Sequence, residues 1–156
     1  MKEDQMIAYQ LSVFSENKPG RLAAVTKILS AEKINIRATT IATSDTFGVI
    51  NLIVDDPKRA EAVLTKEGMM CRLREVLAVV IEDKPGGLDR LTQLLAQEGV
   101  NINNAYGFVL ESREKAVFVV DVDQIEKTSK LLENNKFKTL DAEALDAIEP
   151  FHYMKY

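Results

Sequence analysis

Residues 16–36, ENKPGRLAAVTKILSAEKINI, and residues 82–102, EDKPGGLDRLTQLLAQEGVNI, decide the fold because one stretch nearly repeats the other. Aligning each residue with the one 66 positions later gives ten identities among 21 pairs, and no gap is needed. Both stretches place Lys-Pro-Gly between an apolar run and an amphipathic one. A repeat of this length indicates a duplicated structural unit, so we interpret the chain as two copies of one pattern.

The same order of elements is predicted around each stretch. A short, β-branched apolar run predicts a first strand. A helix follows, because apolar residues recur at positions i, i+3 and i+7 on one face. Two strands, a helix with an aspartate N-cap and a short last strand complete the unit. The predicted strands are 6–14, 34–43, 47–55 and 70–75, then 76–81, 100–110, 115–122 and 136–140; the helix stripes are Leu22, Val25 and Leu29, then Leu88, Leu91 and Leu95; the caps are Asp56, before Pro57, and Asp123.

This order, βαββαβ twice, predicts an α+β protein of two ferredoxin-like units, each with an antiparallel sheet and its helices on one face. The predicted domains are residues 1–74 and 75–142, with a C-terminal tail at 143–156. No Gly, Pro or Ser-rich linker separates the units, so we expect them to be held rigidly. Several strands are apolar on both faces, whereas the helices cover only one face of each sheet. We therefore expect the other face to meet the sister unit or a second chain, in a homodimer.

Composition narrows the class of function. Hydrophobic residues make up 46% of the 156 residues, the net charge is −4 and the pI is about 5.1. An acidic chain without a basic stripe has little to attract nucleic acid, and no apolar run approaches the roughly 18 residues of a membrane span. The polar N-terminus lacks a signal-peptide stretch, which makes the cytoplasm the expected location. With one cysteine, Cys71, and one histidine, His152, we expect no transition-metal site and no cofactor.

Two corners join the first strand of each unit to its first helix: residues 15–22, SENKPGRL, are the first corner, and residues 81–88, IEDKPGGL, are the second corner. Proline fixes its own φ and holds the preceding lysine extended, while glycine lets a ligand come close to the backbone. The N–H groups of a helix start lack intrahelical acceptors and, with the helix dipole, favour a carboxylate. The candidate donors are the amides of Gly20, Arg21 and Leu22, and those of Gly86, Gly87 and Leu88.

An Asn-Ile pair opens the predicted second strand of each unit, at Asn35 and Asn101. An asparagine side chain both donates and accepts hydrogen bonds, which suits a zwitterion. In a βαβ unit this pair lies at the opposite end of the helix from the corner, so it reaches a corner only across an interface between units. A local hydrogen bond explains these asparagines equally well. For Arg21 and Arg37 a solvated cationic face is the simpler interpretation.

The two stretches, extended to SENKPGRLAAVTKILSAEKINIRA and IEDKPGGLDRLTQLLAQEGVNINNA, resemble the ACT domain, a small βαββαβ regulatory module of amino-acid metabolism. The resemblance covers the chain to about residue 142. The whole resembles the stand-alone tandem ACT-domain proteins, which carry no catalytic domain and are described as amino-acid-binding. It implies a non-catalytic protein that binds a free amino acid, or a similar small zwitterion, at interfaces between domains. It also implies a regulated enzyme or regulator as partner.

The serine-sensing ACT domain of phosphoglycerate dehydrogenase has the loop pattern His-x-Asn-x-Pro-Gly, followed later by Val-Asn-Ile. The first unit matches at the loop Asn, Pro, Gly and the later Asn, but Ser15 stands in the place of His. The second unit has Ile81 in the place of His and Asp83 in the place of the loop Asn, which argues against equal binding by the two units. Asp83 offers a partner for a ligand ammonium. The ligand-binding residues that the resemblance implies are Ser15, Asn17, Lys18, Pro19, Gly20, Arg21, Leu22, Asn35 and Ile36 in the first unit, and Asp83, Lys84, Pro85, Gly86, Gly87, Leu88, Asn101 and Ile102 in the second.

Other classes of function remain open at this point. A structural adaptor oligomer with vestigial ligand sites would carry the same fold. An acylphosphatase-like enzyme on the same scaffold needs a phosphate-cradling loop with an arginine and a nearby asparagine. Arg21 and Asn35 are present, but Lys-Pro-Gly is not a glycine-rich cradle, and no nucleophile–base pair accompanies it. Nucleic-acid binding on the sheet would need an aromatic platform that the strands lack.

Overall fold

The computed structural model describes residues 6–147, and its elements follow the predicted order, βαββαβ twice. One long strand serves as the last strand of the first pattern and the first strand of the second. A short helix, which the sequence did not predict, follows the second pattern. The elements are β1 (Ala8–Glu16), α1 (Arg21–Ala31), β2 (Ile36–Ser44), β3 (Phe47–Val54), α2 (Pro57–Lys66), β4 (Met70–Glu82), α3 (Gly87–Gln97), β5 (Ile102–Glu111), β6 (Lys115–Val122), α4 (Ile125–Asn134), β7 (Thr139–Leu140) and α5 (Ala142–Asp146).

The chain forms two compact units, which divide between Arg74 and Glu75 within β4. The first unit is Tyr9–Arg74, and the second contains residues 6–8 and 75–147 of the described chain. Residues 148–156, which hold most of the predicted tail and His152, lie outside the described residues. No helix of the described chain is long and apolar enough to span a membrane.

In the first unit, β3 lies between β1 and β2, and both pairings are antiparallel. The side chains of one sheet face alternate with those of the other, so Leu11, Ile50 and Leu52 share the face that α1 and α2 cover. Val25 and Leu29 of the predicted helix stripe are buried there, and Leu22 packs at the edge. The core contains Leu11, Val13, Val25, Leu29, Ile34, Ile50, Leu52, Val54, Ala60 and Leu64.

In the second unit, β4 pairs with β6 and β7, and β6 pairs with β5, all antiparallel. Its core contains Leu77, Val79, Leu91, Leu95, Val120, Val122, Leu132 and Phe137. The predicted ferredoxin-like, α+β architecture is thus confirmed in both halves.

Several details of the prediction are wrong. The first strand begins and ends two residues later than predicted, and β2 and β5 also begin two residues later. The last strand is only Thr139–Leu140, because the amides of Lys136 and Phe137 still bond to carbonyls of α4. Asp123 does not cap α4; Gln124 occupies that position, and the Asp123 carboxylate accepts a hydrogen bond from the Asn103 side chain at 2.7 Å. Leu88 is exposed rather than part of the helix stripe.

The cap of α2 is confirmed. Asp56 precedes Pro57, and its Oδ1 accepts a hydrogen bond from the Arg59 amide at 3.2 Å. This satisfies one of the amides that a helix start leaves without an intrahelical acceptor.

A buried polar cluster occupies the sheet face that alternates with the core of the first unit, where the sequence pattern indicated mainly apolar residues. Gln10, Ser12 and Asn51 are 2%, 3% and 7% exposed. The Ser12 hydroxyl donates to the Asn51 side-chain oxygen at 2.8 Å, and the Gln10 amide donates to the same oxygen at 3.2 Å. The cluster stabilises one pairing of β1 with β3, because a shifted register would leave these buried groups without their partners.

Each corner is tied to the hairpin beside it by the residue that differs between the two copies. The Asn17 side chain donates to the Asp45 carbonyl at 2.9 Å, whereas the Asp83 carboxylate accepts from the Arg113 amide at 2.7 Å. Asp45 and Arg113 both have left-handed backbones, with φ of 51° and 64°. The first hairpin has a two-residue loop and presents a carbonyl to the corner, whereas the second has a three-residue loop and presents an amide. The Asn-to-Asp difference therefore gives each hairpin its complement, a donor for the carbonyl of the first and an acceptor for the amide of the second.

Exchanging these residues tests that match. Asn17→Asp removes a donor and places carboxylate oxygen beside a carbonyl, so we expect a loss of about 1 kcal/mol in the free energy of unfolding. Asp83→Asn keeps an acceptor for the Arg113 amide, so we expect a smaller loss, below about 0.5 kcal/mol. Urea unfolding followed by circular dichroism measures both. An Asp83→Asn loss as large as that of Asn17→Asp would contradict the polarity argument.

Candidate functional site

The first corner turns strand β1 into helix α1 through a left-handed glycine. Gly20 has φ of 89°, a conformation that other residues adopt only with strain, and no atom of the described chain lies within 4 Å of where its β-carbon would be. Gly20 is also the N-cap, and no side chain caps the helix. The first intrahelical bond runs from the Ala24 amide to the Gly20 carbonyl at 3.0 Å. The preceding amides of α1 are therefore available to an anion.

A cavity of about 210 Å³ lies beside this helix start, between the first turn of α1 and strands β2 and β3. The corner supplies its polar wall. Gly48 of β3, which pairs with Ser15, leaves the cavity open because it has no side chain. The lining residues are Ser15, Glu16, Asn17, Lys18, Gly20, Arg21, Leu22, Ala23, Ile41, Thr43, Gly48 and Ile50.

The environment of Arg21, a charged residue of this cavity, differs from the solvated surface that was the simpler interpretation of the sequence. Its side chain is half-buried rather than fully solvated. Its Nε is buried and has no hydrogen-bond partner within the described residues. Arg21 also borders a neighbouring cavity of about 250 Å³, to which Phe47 and Met70 contribute. A buried guanidinium nitrogen without an acceptor is costly, so an incoming carboxylate would be stabilised there.

The lysines of both corners have carboxylate partners. Lys18 Nζ lies 3.0 Å from Glu16, and Lys84 Nζ lies 2.7 Å from Glu82. The hydrogen bond and charge of Lys84 hold the pKa of Glu82 below its usual value. Both pairs are exposed, so they contribute little to stability and compete with any ligand contact that the lysines make.

The second corner has the same turn but a different environment. Gly86 has φ of 89°, as Gly20 has. The Gly87 amide, one of the predicted donors, already donates to the Lys84 carbonyl at 3.0 Å. A β-carbon on Gly87 would lie 2.0 Å from the Glu82 carbonyl oxygen, so only glycine fits there. The first unit has Arg21 at the matching position.

The Asn-Ile pairs lie away from the corners within their own units. Asn35 and Ile36 line a separate cavity of about 440 Å³, and the Asn35 amide donates to the Asp55 carboxylate at 3.1 Å. Eleven residues of α1, about 16 Å of helix, separate this end from the first corner. Asn101 donates to the Asn103 side chain at 3.1 Å, and Ile102 packs against the second core. Their participation in a corner site across an interface stays a prediction.

The β2 and β3 residues of the first cavity were not among the predicted site residues. Ile41, Thr43, Gly48 and Ile50 come from β2 and β3, and they reach the corner only through the antiparallel register. The signal was present in the predicted strand order, since a ferredoxin-like sheet places the third strand beside the first. Gly48, in a mainly apolar strand, was a further signal, because a glycine inside a strand can mark a site that a ligand approaches.

The described residues offer little to a metal ion. Between residues 6 and 147, no three His, Cys, Asp or Glu side chains come together in a group that could hold one. Cys71 is only partly buried, and its Sγ lies 3.3 Å from the Thr65 hydroxyl.

Comparison with solved structures places the fold among known ones. A protein from Bacteroides thetaiotaomicron, BT0572, is 34% identical with a TM-score of 0.85, over 92% of this chain and 98% of that one. The ligand-free regulatory subunit of aspartate kinase from Thermus thermophilus is 16% identical with a TM-score of 0.60, over 85% and 95%. Its counterpart from Thermus flavus is 18% identical with a TM-score of 0.53, over 84% and 93%. The two subunits are similar in fold alone. No curated protein matches the chain by sequence.

The family itself is shown by sequence. The family model described as an ACT domain pair matches residues 6–148, which is nearly the whole chain. This match supports a ligand-binding regulatory role and agrees with the duplicated βαββαβ architecture. The chain belongs to the ACT domain pair family.

Proposed function

We propose that this protein is a non-catalytic regulator that binds a free amino acid at its first corner. The observation that carries the proposal is the buried Nε of Arg21, which has no partner among residues 6–147, beside a start of α1 that no side chain of these residues caps, at the edge of a small cavity. Membership of the ACT domain pair family supports a ligand-binding regulatory role. The cavity volume of about 210 Å³ fits a small amino acid rather than a nucleotide or a peptide.

The lining provides for each part of a zwitterion. The carboxylate would receive hydrogen bonds from the α1 amides and from the Arg21 guanidinium. The ammonium would donate to oxygen atoms of Ser15 and Asn17 on the corner side. The remaining walls are aliphatic, because Leu22, Ile41 and Ile50 contribute to them. These walls favour a small aliphatic side chain on the ligand.

The regulatory part of the proposal needs a partner. Ile41, Phe47 and Met70 line the two cavities that meet at Arg21, and they are 52%, 50% and 70% exposed. Exposed apolar side chains grouped around a ligand site favour a protein surface over them. We propose a homodimer in the cytoplasm that passes the ligand-bound state to a regulated enzyme or regulator. The coupling would come from different ligand affinities of two conformational states.

An adaptor with vestigial ligand sites remains the alternative, and a screen for amino-acid binding separates it from the proposed regulator. The acylphosphatase-like alternative loses support, because its arginine and asparagine do not meet within the first unit. Arg21 starts α1, whereas Asn35 follows the end of that helix.

Binding is tested by calorimetric titration and thermal unfolding of the full chain with each of the twenty amino acids. We expect at least one small aliphatic amino acid to release or absorb heat and to raise Tm. At a ligand concentration 100 times Kd, the stabilisation would be about 2.7 kcal/mol. Neither heat nor a Tm shift for any of the twenty would contradict the proposal and favour the adaptor.

The role of Arg21 is tested with Arg21→Gln. The change removes a charge-assisted hydrogen bond, worth about 1.5–3 kcal/mol, so we expect Kd for the bound amino acid to rise about tenfold or more. Lys27→Gln is the control, because Lys27 is an exposed cation of the same helix and lies outside the residues that line the cavity. We expect the control to change Kd by less than about twofold. Equal effects of the two variants would mean that the ligand senses only the general positive charge of this helix.

A further inference from the structure

We infer that each chain binds one amino-acid molecule, at the first corner, because the second corner is closed by its own residues. The inference rests on the proposed function and adds to it which of the two copies is active. Three differences between the copies carry it, each visible at a matching position of the fold.

Strand register identifies the matching positions. Val13 pairs with Ile50 in the first unit, and Val79, 66 residues later, pairs with Phe118 in the second. In the same way, Ser15 pairs with Gly48, and Ile81 pairs with Ala116. Phe118 and Ala116 therefore stand where the open cavity has Ile50 and Gly48.

The first difference is the Phe118 ring. A β-carbon on Gly107, the β5 residue that pairs with Phe118, would lie 3.1 Å from the ring. The ring thus covers the space above β5, and the strand gives it room by having glycine there. In the first unit the same pair is Ile41 and Ile50, and both line the cavity. The ring therefore takes the place over β5 that the Ile41 side chain takes in the first unit, and as a bulkier group than Ile50 it leaves less room beside the corner.

The second difference is the distance between helix and strand. Gly87 approaches the Glu82 carbonyl so closely that no β-carbon fits, and its amide is used in a turn with Lys84. Arg21, at the matching position, carries a side chain that borders the cavity. The second corner thus lacks both the guanidinium and one of the amide donors.

The third difference is an acidic residue in the first turn of the second unit's helix. Asp89 lies in the first turn of α3, where α1 has Ala23, and α1 has no acidic residue in its first turn. A carboxylate in the first turn already interacts favourably with the helix dipole. It would also repel the carboxylate of a ligand. Shape and donors therefore disfavour binding at the second corner, and Asp89 adds a repulsive charge that the neighbouring Arg90 offsets in part.

The test uses the full chain and one substitution made at both matching positions. Gly48→Val places a side chain in the first cavity, and its β-carbon has ordinary contacts, 3.4 Å from the Ala42 carbonyl and the Thr43 methyl. Ala116→Val adds bulk at the same place in the second corner. Equilibrium dialysis is carried out with radiolabelled L-valine, or with the labelled form of whichever amino acid gives the largest Tm shift in the screen.

We expect one molecule per chain, a rise in Kd of at least tenfold for Gly48→Val, and a change below twofold for Ala116→Val. Two molecules per chain, or equal weakening by the two variants, would overturn the inference. Absence of binding to the unaltered chain would instead contradict the proposed function itself. Circular dichroism checks folding, and Gly48→Ala, which copies the residue of the second unit, replaces Gly48→Val if that variant does not fold.

Discussion

The structure depends on the left-handed turn at the glycine of each Lys-Pro-Gly corner. Proline directs the chain out of the strand, and a glycine with φ of 89° then starts the helix without a side-chain cap. This turn lays α1 and α3 across their sheets, where the leucine stripes form the two cores. It also leaves amides of the helix start without an intrahelical acceptor. The glycine that allows the turn into each helix is thus also the residue that leaves backbone amides of the helix start open to a ligand.

The two copies of the turn have reached different outcomes through their surroundings. In the first unit, the strand beside the corner has a glycine, the helix begins with an arginine, and a cavity remains. In the second, the Phe118 ring lies at the matching strand position, the helix approaches the strand closely, and the first turn of the helix is acidic. The corner residues that differ, Asn17 and Asp83, hold hairpins of opposite polarity in place. Duplication therefore preserved the scaffold, while the residues around the corner set whether it has room for a ligand.

Much of the fold could be predicted because its signals are local and repeated. The order of elements, most of each helix stripe and the Asp56 cap follow from residues close in sequence, and the structure agrees with them, whereas Leu88 of the second stripe is exposed. The cavity could not be predicted in the same way, since its walls meet through strand register. The offset between the copies is 66 before the hairpin and 68 after it, so a gapless alignment sets Ile50 against Ala116 instead of Phe118. The buried Nε of Arg21 and the cluster at Gln10 likewise depend on tertiary packing.

The most direct measurement of the central claim is a titration of the ¹⁵N-labelled chain with L-valine, or with the amino acid that binds in the screen, followed by NMR of the backbone amides. The account predicts saturable shifts of the amide signals of Arg21, Leu22 and Gly48, because these residues line the first cavity. It predicts little change at Gly87 and Leu88, where the corner is closed. Shifts centred on Gly87 and Leu88, with the amides of the first corner unchanged, would contradict it.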